Sequence, residues 1–595
     1  MIASIDVPFA LVDSDDGAVL WFGEYCGALT GEASPRVDPA TFFAAAEAEA
    51  GAGRWVLVAA DYGLGSVLEP VAQVPSGEHR RLRGWVFARC ERLKAEAVDA
   101  RLQACLAAMS ENERAAGVAD WRVSLQETDY CAKVDRIQAW IASGDCYQVN
   151  LTFPLHFRVF GHPLALYAAL RTRQPVRYGA FVSVPGVTLL SFSPELFFER
   201  SGTRVQARPM KGTAPRGGTA AEDAALRAGM LASDKERAEN VMIVDMLRND
   251  LGRLARPGSV RVEALCEAEA YPTVWQQVST VSAELPGASL ADLFAALFPC
   301  ASITGAPKLR AMQRIAELED APRDLYTGAL GWVAPGGDCR FNVAIRSFEL
   351  GPDREARLGV GSGIVIDGDP HREYAECLLK ARFIREFDPG FELIETLRLE
   401  DGRYPLLPLH LERLGRSARC LGFAFDAKAV EAALFELAVR HASGVFRVRL
   451  SLAHGGAFRL QAAPLDMSQQ VWRFVLADEP LSDGDFLRAH KTTVRGRYDS
   501  ALAALPGDVF DLIFFNRRGE VCEGARSNVF VVRDGIWLTP PLASGLLPGV
   551  MRQHLLDSGR AVEQVLTRDD LLGASAVYLV NALRGVIPVQ RPAPG

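Results

Sequence analysis

The sequence predicts two consecutive domains, each combining helices with strands. Its 595 residues exceed the usual size of one domain, and 49% apolar with 23% charged residues is typical of a chain that buries large cores. Segments typical of strands and of helices alternate from 122 to 388. A Pro-Gly break in FDPGF (387–391) then ends a helical pattern, and FELIETLRLE begins a new strand pattern. We therefore predict the main domain boundary near 389.

Local patterns predict the individual elements. Short apolar runs punctuated by Gly and Asp in residues 1–75 predict strands and turns, and the Ala-, Arg- and Glu-rich stretch 88–116 predicts a helix. The run ENVMIVDMLRNDLGRL predicts another helix, which we expect to begin at Glu239. After the strand GIVID, Asp369 and Pro370 are typical cap and first-turn residues, so HREYAECLLKARFIREF is predicted to be helical.

Charge and composition argue against several classes of protein. The net charge of −8 argues against a nucleic-acid-binding protein, which usually carries a basic patch. No run of 18 apolar residues predicts a membrane span, and MIASIDVPFALVDSDDG lacks the basic start and apolar run of a signal peptide. Eleven cysteines without a CxxC pair favour a reduced compartment over a disulfide framework. We expect a cytoplasmic protein that binds neither nucleic acid nor membrane.

Lysine is unusually rare in this chain. Only 8 of the 65 basic residues are lysine, and the rest are arginine. When arginine supplies the generic positive charge, each lysine raises the question of whether an amine is required there. Drift in base composition would explain the scarcity equally well, so the surrounding motifs must decide.

Five segments between residues 190 and 380 combine carboxylates, one amine, one arginine and glycine-lined backbone. They are SFSPELFFER; RPMKGTAPRG; KERAENVMIVDMLRNDLGR; ITGAPKLRAM with YTGALGW; and FNVAIRSF followed by GVGSGIVIDGDPHREYAE. Glu373 and Glu376 face the same way on a predicted helix, and Glu239 lies on another. Carboxylates from separate helices suit a hard cation such as Mg²⁺. The alternative is that Glu376 pairs with Lys380 and the other carboxylates are solvated.

Three glycines, Gly359, Gly361 and Gly363, alternate and lead into a predicted strand. A dinucleotide-binding fingerprint follows a strand and opens a helix, so the order of elements excludes that interpretation. GAPK is not a phosphate loop either, because it lacks the second glycine and the GK[ST] ending. Glycines in such a strand favour close approach of backbone N–H groups to an anion.

These five segments, in this order over about 120–388, resemble the chorismate-utilising enzymes. The family includes aminodeoxychorismate synthase component I, anthranilate synthase large chains, and isochorismate and salicylate synthases. The resemblance implies an α+β sandwich of two packed sheets with outer helices. Lys211 in RPMKGT resembles the PIKGT of aminodeoxychorismate synthases, where anthranilate synthases have Ala, and Gln148 stands where water-adding members have Lys. The implied product is 4-amino-4-deoxychorismate.

The implied reaction proceeds through two displacements on chorismate. The Lys211 amine would add at C2 and expel the C4 hydroxyl, and ammonia would then add at C4 and expel the lysine. This requires a neutral amine, which arginine cannot supply. Glu195, in the SPE triplet, would be the general acid or base for the departing hydroxyl. No glutaminase segment is visible, so we expect ammonia from a separate glutamine amidotransferase subunit or from free ammonium.

The same resemblance implies roles for further residues of the region 121–388, the expected catalytic domain. Glu239 and Glu376 would bind Mg²⁺, with Glu373 as a water-mediated ligand, and the ion would hold the ring carboxylate of chorismate. Arg346 and Tyr326 would hold the enolpyruvyl carboxylate. The other residues expected to line this site are Thr213, Thr304, Gly361 and Gly363. Residues 1–120, the expected N-terminal part of the synthase, lack an LLES motif, so tryptophan feedback is not predicted.

A second set of motifs occupies residues 389–595. It consists of HKTTVRGRYD, DLIFFNRRGEVCEGARSNVFVV, TPPLASGLLPGVMRQHLL and VYLVNALRGVIPV. A lysine after a histidine, a glutamate in a strand-turn-strand and a glycine before a helix suggest an anionic cofactor with a basic ring nitrogen. In order and spacing they resemble the fold-type IV pyridoxal-phosphate enzymes, which include aminotransferases and aminodeoxychorismate lyase. The resemblance implies a two-lobed α/β domain, pyridoxal 5′-phosphate and a homodimer.

Carried over residue by residue, the resemblance implies that Lys491 is the Schiff-base lysine and that Glu523 holds the pyridinium nitrogen. Tyr498 would contact the phenolic oxygen of the cofactor, although its spacing from Lys491 is two residues longer than in aminotransferases. The residues implied at the cofactor phosphate are Arg413, in HxxRLxxSA, and the backbone N–H groups of Val550 and Met551. The segment VNALRG, where aminotransferases have SGTA, looks lyase-like.

The two resemblances together imply successive steps toward 4-aminobenzoate for folate synthesis. In the second step Lys491 would take the C4 proton and pyruvate would leave from C3. Three alternatives stay open. The chain could be an anthranilate synthase fused to an aminotransferase, its second domain could act as a branched-chain or D-amino-acid aminotransferase, or that domain could serve only for dimerisation.

Overall fold

The structure, a computed structural model, describes residues 7–14, 16–29, 38–69, 71–75, 77, 79, 81–271, 274–467 and 472–591. The first six residues, part of the stretch that lacks signal-peptide features, lie outside the described ones. The chain divides into two compact units. The first is built within Met1–Ala108, Arg122–Arg158 and Tyr167–Arg385, and the second within Met109–Trp121, Val159–Leu166 and Glu386–Gly595. Two segments that precede the predicted boundary therefore fold with the second unit.

Antiparallel sheets form the frame of the first unit. The strands before residue 385 are β1 Phe9–Asp13, β2 Val19–Ala28, β3 Trp55–Ala60, β4 Leu82–Leu93, β5 Gly117–Val123, β6 Gln148–Phe160, β7 Ala180–Val184, β8 Val187–Ser191, β9 Leu196–Ser201, β10 Arg204–Arg208, β11 Met210–Pro215, β12 Arg261–Ala270, β13 Val274–Glu284, β14 Gly305–Ala306, β15 Ala329–Val333, β16 Cys339–Val343, β17 Ser347–Glu349 and β18 Glu355–Ile364. A large sheet runs β11-β13-β10-β9-β16-β15-β3-β4-β2-β1-β7-β8-β17, with β12 paired to β13, and a small sheet runs β14-β6-β18. The rings of Phe157 on β6 and Phe348 on β17 are in contact, 5.2 Å between centroids.

Helices alternate with these strands along the chain. Those before residue 385 are α1 Pro39–Gly51, α2 Gly65–Leu68, α3 Ala95–Ala108, α4 Glu111–Arg114, α5 Glu127–Ala142, α6 Pro163–Arg173, α7 Ala220–Leu231, α8 Asp234–Gly252, α9 Leu290–Leu297, α10 Lys308–Leu318, α11 Pro370–Lys380 and α12 Arg382–Arg385, with 3-10 turns at Tyr62–Leu64 and Ala301–Ile303. Helix α11 begins as predicted, because the Asp369 side chain accepts the Arg372 N–H.

Several element predictions for this unit were wrong. Helix α8 begins well before Glu239, because Ser233 caps it by accepting the Glu236 N–H. Helix α1 lies in a region predicted as strands and turns, and residues 88–93 complete strand β4 instead of opening a helix. In both cases the packing of apolar faces overrides a composition that is ambiguous on its own.

The second unit contains two sheets. Its strands after residue 386 are β19 Leu393–Glu400, β20 Val445–Leu452, β21 Phe458–Pro464, β22 Trp472–Leu476, β23 Val509–Phe515, β24 Val521–Gly524, β25 Asn528–Arg533, β26 Ile536–Thr539, β27 Ala561–Glu563, β28 Ala576–Asn581 and β29 Gly585–Gln590. Its helices there are α13 Leu407–Leu421, α14 Ala427–Arg440, α15 Gly496–Ala503, α16 Val550–Asp557 and α17 Arg568–Gly573, with 3-10 turns at Phe486–Ala489 and Leu542–Ser544. One sheet runs β19-β20-β21, and the other runs β24-β23-β22-β29-β28-β25-β26-β27.

These observations confirm the predicted fold class, a mixed α and β chain whose first region forms sheets and whose second region has two lobes, each with its own sheet. Each sheet of the second unit has its own core. Leu393, Leu397 and Leu399 bury one face of β19 against helices α13 and α14, and Phe474 and Phe510 lie in the core of the larger sheet. Among the helices that the structure describes, none is both long and apolar enough to cross a membrane.

Aromatic packing stabilises the first unit. The fully buried Phe294 on α9 stacks on Phe43 at 4.5 Å between ring centroids and meets Phe341 edge-on at 5.0 Å. We expect Phe294→Ala to lower the free energy of unfolding by about 3–5 kcal/mol, since it removes a buried ring and leaves a cavity. Urea denaturation of the full chain measures this. Phe435→Ala on α14 is the control, because that ring is 53% exposed and its loss should change stability by less than about 0.5 kcal/mol. Equal effects of the two variants would contradict the prediction.

Two candidate active sites

Lys211 lies on β11 at the centre of the first candidate site. A Cβ added at Gly363 on β18 would lie 2.9 Å from Gln148 Nε2 and 3.3 Å from Lys211 Nζ. The missing side chain of Gly363 therefore makes the space that the lysine amine and the glutamine amide share. Of the described residues, none forms an ion pair or hydrogen bond with Lys211 Nζ.

Glu195 is a buried carboxyl group within electrostatic reach of Lys211. Its side chain is 4% exposed, and Ser302 Oγ donates to Oε1 at 2.7 Å. Burial raises the pKa of Glu195, while the Ser302 hydrogen bond and the charge of Lys211 act in the opposite direction. A carboxyl whose pKa is raised holds a proton more readily than an ordinary carboxylate, which suits a general acid.

The predicted Mg²⁺ ligand Glu239 projects from α8 toward the same place. Gln148 Nε2 donates to Glu239 Oε2 at 3.1 Å, which ties this carboxylate to the residues around Lys211. One turn earlier on α8 lies Glu236, which we did not predict from the sequence. Burial, followed by the charges of Glu239 and Glu376, raises the pKa of Glu236. The spacing of three residues on a helix that carries Glu239 is the signal that could have revealed it.

Glu373 and Glu376 lie on α11, as predicted. Glu373 accepts a hydrogen bond from Ser362, and Glu376 forms an ion pair with Lys380 Nζ at 2.9 Å, the contact expected under the alternative to metal binding. Although burial acts in the opposite direction, Lys380 and Lys211 lower the pKa of Glu376. Within the part of the chain that the structure describes, no three His, Cys, Asp or Glu side chains are arranged to hold a metal ion.

Arg346 is a second cationic group of this unit. It takes a positive φ of 51°, and burial lowers the pKa of its guanidinium. Among the described residues no acceptor lies within hydrogen-bond distance of that guanidinium, although a buried cation normally has an anionic partner. The group is therefore available to an anion that enters from outside.

The remaining predicted residues of this site differ in their surroundings. The Tyr326 ring packs on Gly359, where an added Cβ would lie 2.1 Å from the ring. Thr304 is fully buried, and its hydroxyl donates to the Cys300 carbonyl at 3.1 Å. Thr213 is exposed, and its hydroxyl donates to Gln276 at 3.1 Å. Both hydroxyls are thus engaged within the protein.

The second candidate site is a cavity of about 310 Å³ within the second unit, in the size range of small-molecule sites. Lys491, Glu523, Arg413, Tyr498, Val550 and Met551 all line it, so the structure brings the predicted residues of this unit together. Further lining side chains that sequence reasoning missed are Asn112, Thr396, Arg449, Arg488, Arg495 and Arg526. Basic side chains outnumber acidic ones here, which suits an anionic ligand.

The backbone around Lys491 is fixed by strand β19. The Ile394 N–H donates to the Lys491 carbonyl at 2.8 Å, and the Thr493 N–H donates to the Glu392 carbonyl at 2.9 Å. Burial, with the nearby charges of Arg495 and Arg413, lowers the pKa of the Lys491 amine to about 7. A large fraction of this amine is therefore neutral and nucleophilic at neutral pH.

Glu523 on β24 has both carboxyl oxygens hydrogen-bonded. The Tyr498 hydroxyl donates to Oε1 at 2.7 Å, and the Leu547 N–H donates to Oε2 at 2.8 Å. Burial raises the pKa of Glu523 to about 7. The predicted contact of Tyr498 with the phenolic oxygen of a cofactor stays a prediction, and in this structure the hydroxyl donates to Glu523.

Arg413 on α13 forms a buried ion pair with Glu395 on β19. Its Nε donates to Glu395 Oε1 at 2.8 Å, its second terminal nitrogen donates to Oε2 at 2.6 Å, and His410 Nδ1 lies 2.6 Å from Oε2. Burial would raise the pKa of Glu395, but Arg413 and His410 lower it to about 2. A further nitrogen of Arg413 donates to the Pro548 carbonyl at 3.2 Å, next to the start of α16.

Helix α16 begins beside this arginine, with Gly549 as its N-cap. A Cβ at Gly549 would lie 1.8 Å from Asn528 Oδ1, so only glycine fits at this approach. The N–H groups of Val550 and Met551, which have no acceptor among the described residues, and the adjacent Arg413 form a set of donors that suits a phosphate. An amine with a lowered pKa, a buried carboxyl and a helix start that suits an anion, all in one cavity, fit pyridoxal phosphate.

Comparison with known proteins identifies the family of each region. A two-domain enzyme is indicated. Residues 47–386, over half of the chain, match a family described as "chorismate binding enzyme". Residues 392–591 match a second family, described as "Amino-transferase class IV". The chain therefore belongs to the chorismate binding enzymes, and it carries a class IV aminotransferase domain after them.

Among curated relatives, aminodeoxychorismate synthase component 1 of Bacillus subtilis is 42% identical over 43% of this chain and 54% of its own length. Anthranilate synthase component 1 1 of Haloarcula marismortui is also 42% identical, over 46% of this chain and 56% of its own length. The chain thus spans about half the length of the curated relatives it matches. Identity alone does not choose between the two activities.

The solved structure of anthranilate synthase component I from Streptococcus pneumoniae TIGR4 is similar in fold. It has a TM-score of 0.50 and 24% sequence identity, and the match covers 64% of this chain and 93% of that one. This likeness shows a shared fold for the first region.

The lowered pKa of Lys491 predicts how cofactor capture depends on pH. Only the neutral amine attacks an aldehyde, so the rate of capture should rise with pH, reach half its maximum near pH 7 and level off above it. Stopped-flow absorbance after mixing cofactor-depleted protein with pyridoxal phosphate measures this rate. A rate that still rises steeply between pH 8 and 10 would contradict the prediction, because it would report an amine with an ordinary pKa.

The ion pair of Glu395 predicts a large effect on stability. Glu395→Gln should lower the free energy of unfolding by about 3–5 kcal/mol, because it leaves the charge of Arg413 buried without a counter-ion. Urea unfolding at neutral pH measures the loss. Glu400→Gln, at the half-exposed end of the same strand, is the control and should change stability by less than about 1 kcal/mol. Similar losses in both variants would show that the ion pair is not the cause.

Proposed function

We propose that the chain makes 4-amino-4-deoxychorismate from chorismate and ammonia, and then eliminates pyruvate from it to form 4-aminobenzoate. The observation that carries this proposal is the free amine of Lys211 beside Gly363, Gln148 and Glu195. A family member that aminates C4 with retention needs such a nucleophile. The neighbouring class IV domain supplies a second lysine suited to the elimination.

In the first step the Lys211 amine attacks C2 of chorismate, and the C4 hydroxyl leaves as the ring double bond shifts. Glu195 gives the departing oxygen a proton, for which the raised pKa of its buried carboxyl is suited. Ammonia then adds at C4 and Lys211 leaves from C2. Arg346, with Tyr326 packed on Gly359, holds the enolpyruvyl carboxylate, since its guanidinium is buried without a partner among the described residues.

Mg²⁺ belongs to the proposal through the carboxylates of α8 and α11. Glu239 and Glu376 would hold the ion, with Glu373 nearby, and the ion would neutralise the ring carboxylate of chorismate. Besides burial, the charge of Glu376 on α11 raises the pKa of Glu236 on α8, and this supports the proposal because carboxylates of the two helices are within electrostatic reach of each other. Binding the ion would require Glu376 to leave Lys380 and Glu239 to leave Gln148.

In the second step the cofactor supplies an electron sink, and the residues of the second unit place the substrate and move its protons. Lys491 would hold the cofactor and would then take the C4 proton of the substrate, and its lowered pKa suits such a general base. Glu523 would hold the ring nitrogen. Arg413 and the N–H groups that begin α16 would hold the phosphate. Formation of an aromatic ring makes the departure of pyruvate strongly favourable.

Two partners follow from the proposal. The relative of the first region is named component 1, and we infer that a glutamine amidotransferase subunit delivers ammonia to this chain as well. A homodimer is inferred from the class IV resemblance. A second candidate activity, formation of 2-aminobenzoate, is favoured by the equal identity to an anthranilate synthase component. Lys211 argues for the first candidate, because that second reaction needs no amine there.

We expect the full chain, with chorismate, ammonium, Mg²⁺ and pyridoxal phosphate, to form 4-aminobenzoate. Lys211→Ala should slow this by at least about 100-fold, because the nucleophile is lost, yet it should still convert supplied 4-amino-4-deoxychorismate at the wild-type rate. Chromatography with mass detection identifies the products. Lys94→Ala, at an exposed lysine of the same unit, is the control and should keep full activity. Appearance of 2-aminobenzoate, or an unaffected Lys211→Ala variant, would refute the proposal.

A further inference from the structure

Tyr498 stands out in the second site because its hydroxyl contacts another side chain of the cavity wall. Tyr498 and Glu523 both line the 310 Å³ cavity, and the Tyr498 hydroxyl donates to Glu523 Oε1 at 2.7 Å. The other oxygen of Glu523 accepts the Leu547 N–H at 2.8 Å. The carboxyl is therefore held at both ends by protein donors, one from a side chain and one from the backbone.

The Tyr498 ring is itself held in place. Phe514 on β23 meets it edge-on, with ring centroids 5.4 Å apart and an interplanar angle of 89°. The guanidinium of Arg495 lies over its face at 5.5 Å, and Arg495 is anchored because it donates to the Ala525 carbonyl at 2.8 Å. The hydroxyl thus has a fixed position, which is what a side chain needs if it is to orient another group.

We propose that Tyr498 is a positioning residue that fixes the Glu523 carboxyl for the ring nitrogen of the cofactor, acting through Glu523 and not on the phenolic oxygen. This inference rests on the proposed function, because it presumes that pyridoxal phosphate occupies the cavity. Without the hydroxyl, Glu523 would keep only the Leu547 N–H and could rotate about its side-chain bonds. Its charge would then be less well placed to face a protonated ring nitrogen.

The proposal assigns Tyr498 a role that depends on Glu523. A residue that contacts the phenolic oxygen would contribute to cofactor binding whether or not residue 523 is a carboxylate. A residue that acts only through Glu523 contributes nothing further once that carboxylate is gone. The two roles therefore differ in the coupling between substitutions at 498 and 523.

The test is a double-mutant cycle on the full-length protein, read out as the dissociation constant for pyridoxal phosphate and as the absorbance spectrum of the bound cofactor across pH. Tyr498→Phe should weaken binding by about tenfold in the wild-type background, the size expected for one hydrogen bond to a charged group. In a Glu523→Gln background the same change should weaken binding by less than about twofold. Glu523→Asp serves as a second background, since its shorter side chain cannot reach the hydroxyl, and thermal unfolding verifies that each variant is folded.

Tyr404→Phe is the matched control, because that hydroxyl donates to the Leu434 carbonyl at 3.0 Å and does not line the cavity. It should leave the dissociation constant and the spectrum unchanged. An equal loss of affinity from Tyr498→Phe in all backgrounds would overturn the inference, as would no loss in the wild-type background. If the wild-type chain binds no pyridoxal phosphate, the proposed function of the second unit fails instead, so the two failures are distinguishable.

Discussion

The second unit depends on the buried ion pair between Glu395 and Arg413. A carboxylate in the core is stable only when its partners compensate for the water that it has lost, and here Arg413 and His410 do so. The same strand that carries Glu395 fixes the backbone of Lys491, since the Ile394 N–H donates to the Lys491 carbonyl. Strand β19 therefore fixes both the side chain of Arg413, beside the start of α16, and the backbone of Lys491 in the cavity.

In the first unit, by contrast, no described residue forms a contact ion pair with the amine of Lys211. Lys211 shares its space with Gln148 beside Gly363, and the carboxyl groups around it act through their charge and not through contact. Lys211 therefore lies within electrostatic reach of several carboxyl groups without a contact ion pair among the described residues.

Local sequence signals predicted a large part of both sites. The motifs around Lys491, Glu523 and Arg413 named residues that line one cavity, and the cap at Asp369 gave the start of α11 correctly. Each of these signals is local, because it depends on residues that lie close together in the sequence. The predicted start of α8 was wrong, because Ser233, which caps the helix, lies outside the apolar run that indicated it.

Contacts between distant segments could not be predicted in this way. Asn112 lines the cavity of the second unit although it precedes Lys491 by several hundred residues, and no local pattern connects the two. Glu395 is different, because a signal was present. It occupies an inward position in the alternation of Leu393, Leu397 and Leu399, where an apolar residue is expected. A carboxylate at such a position needs a buried cation, and Arg413 on helix α13 supplies it.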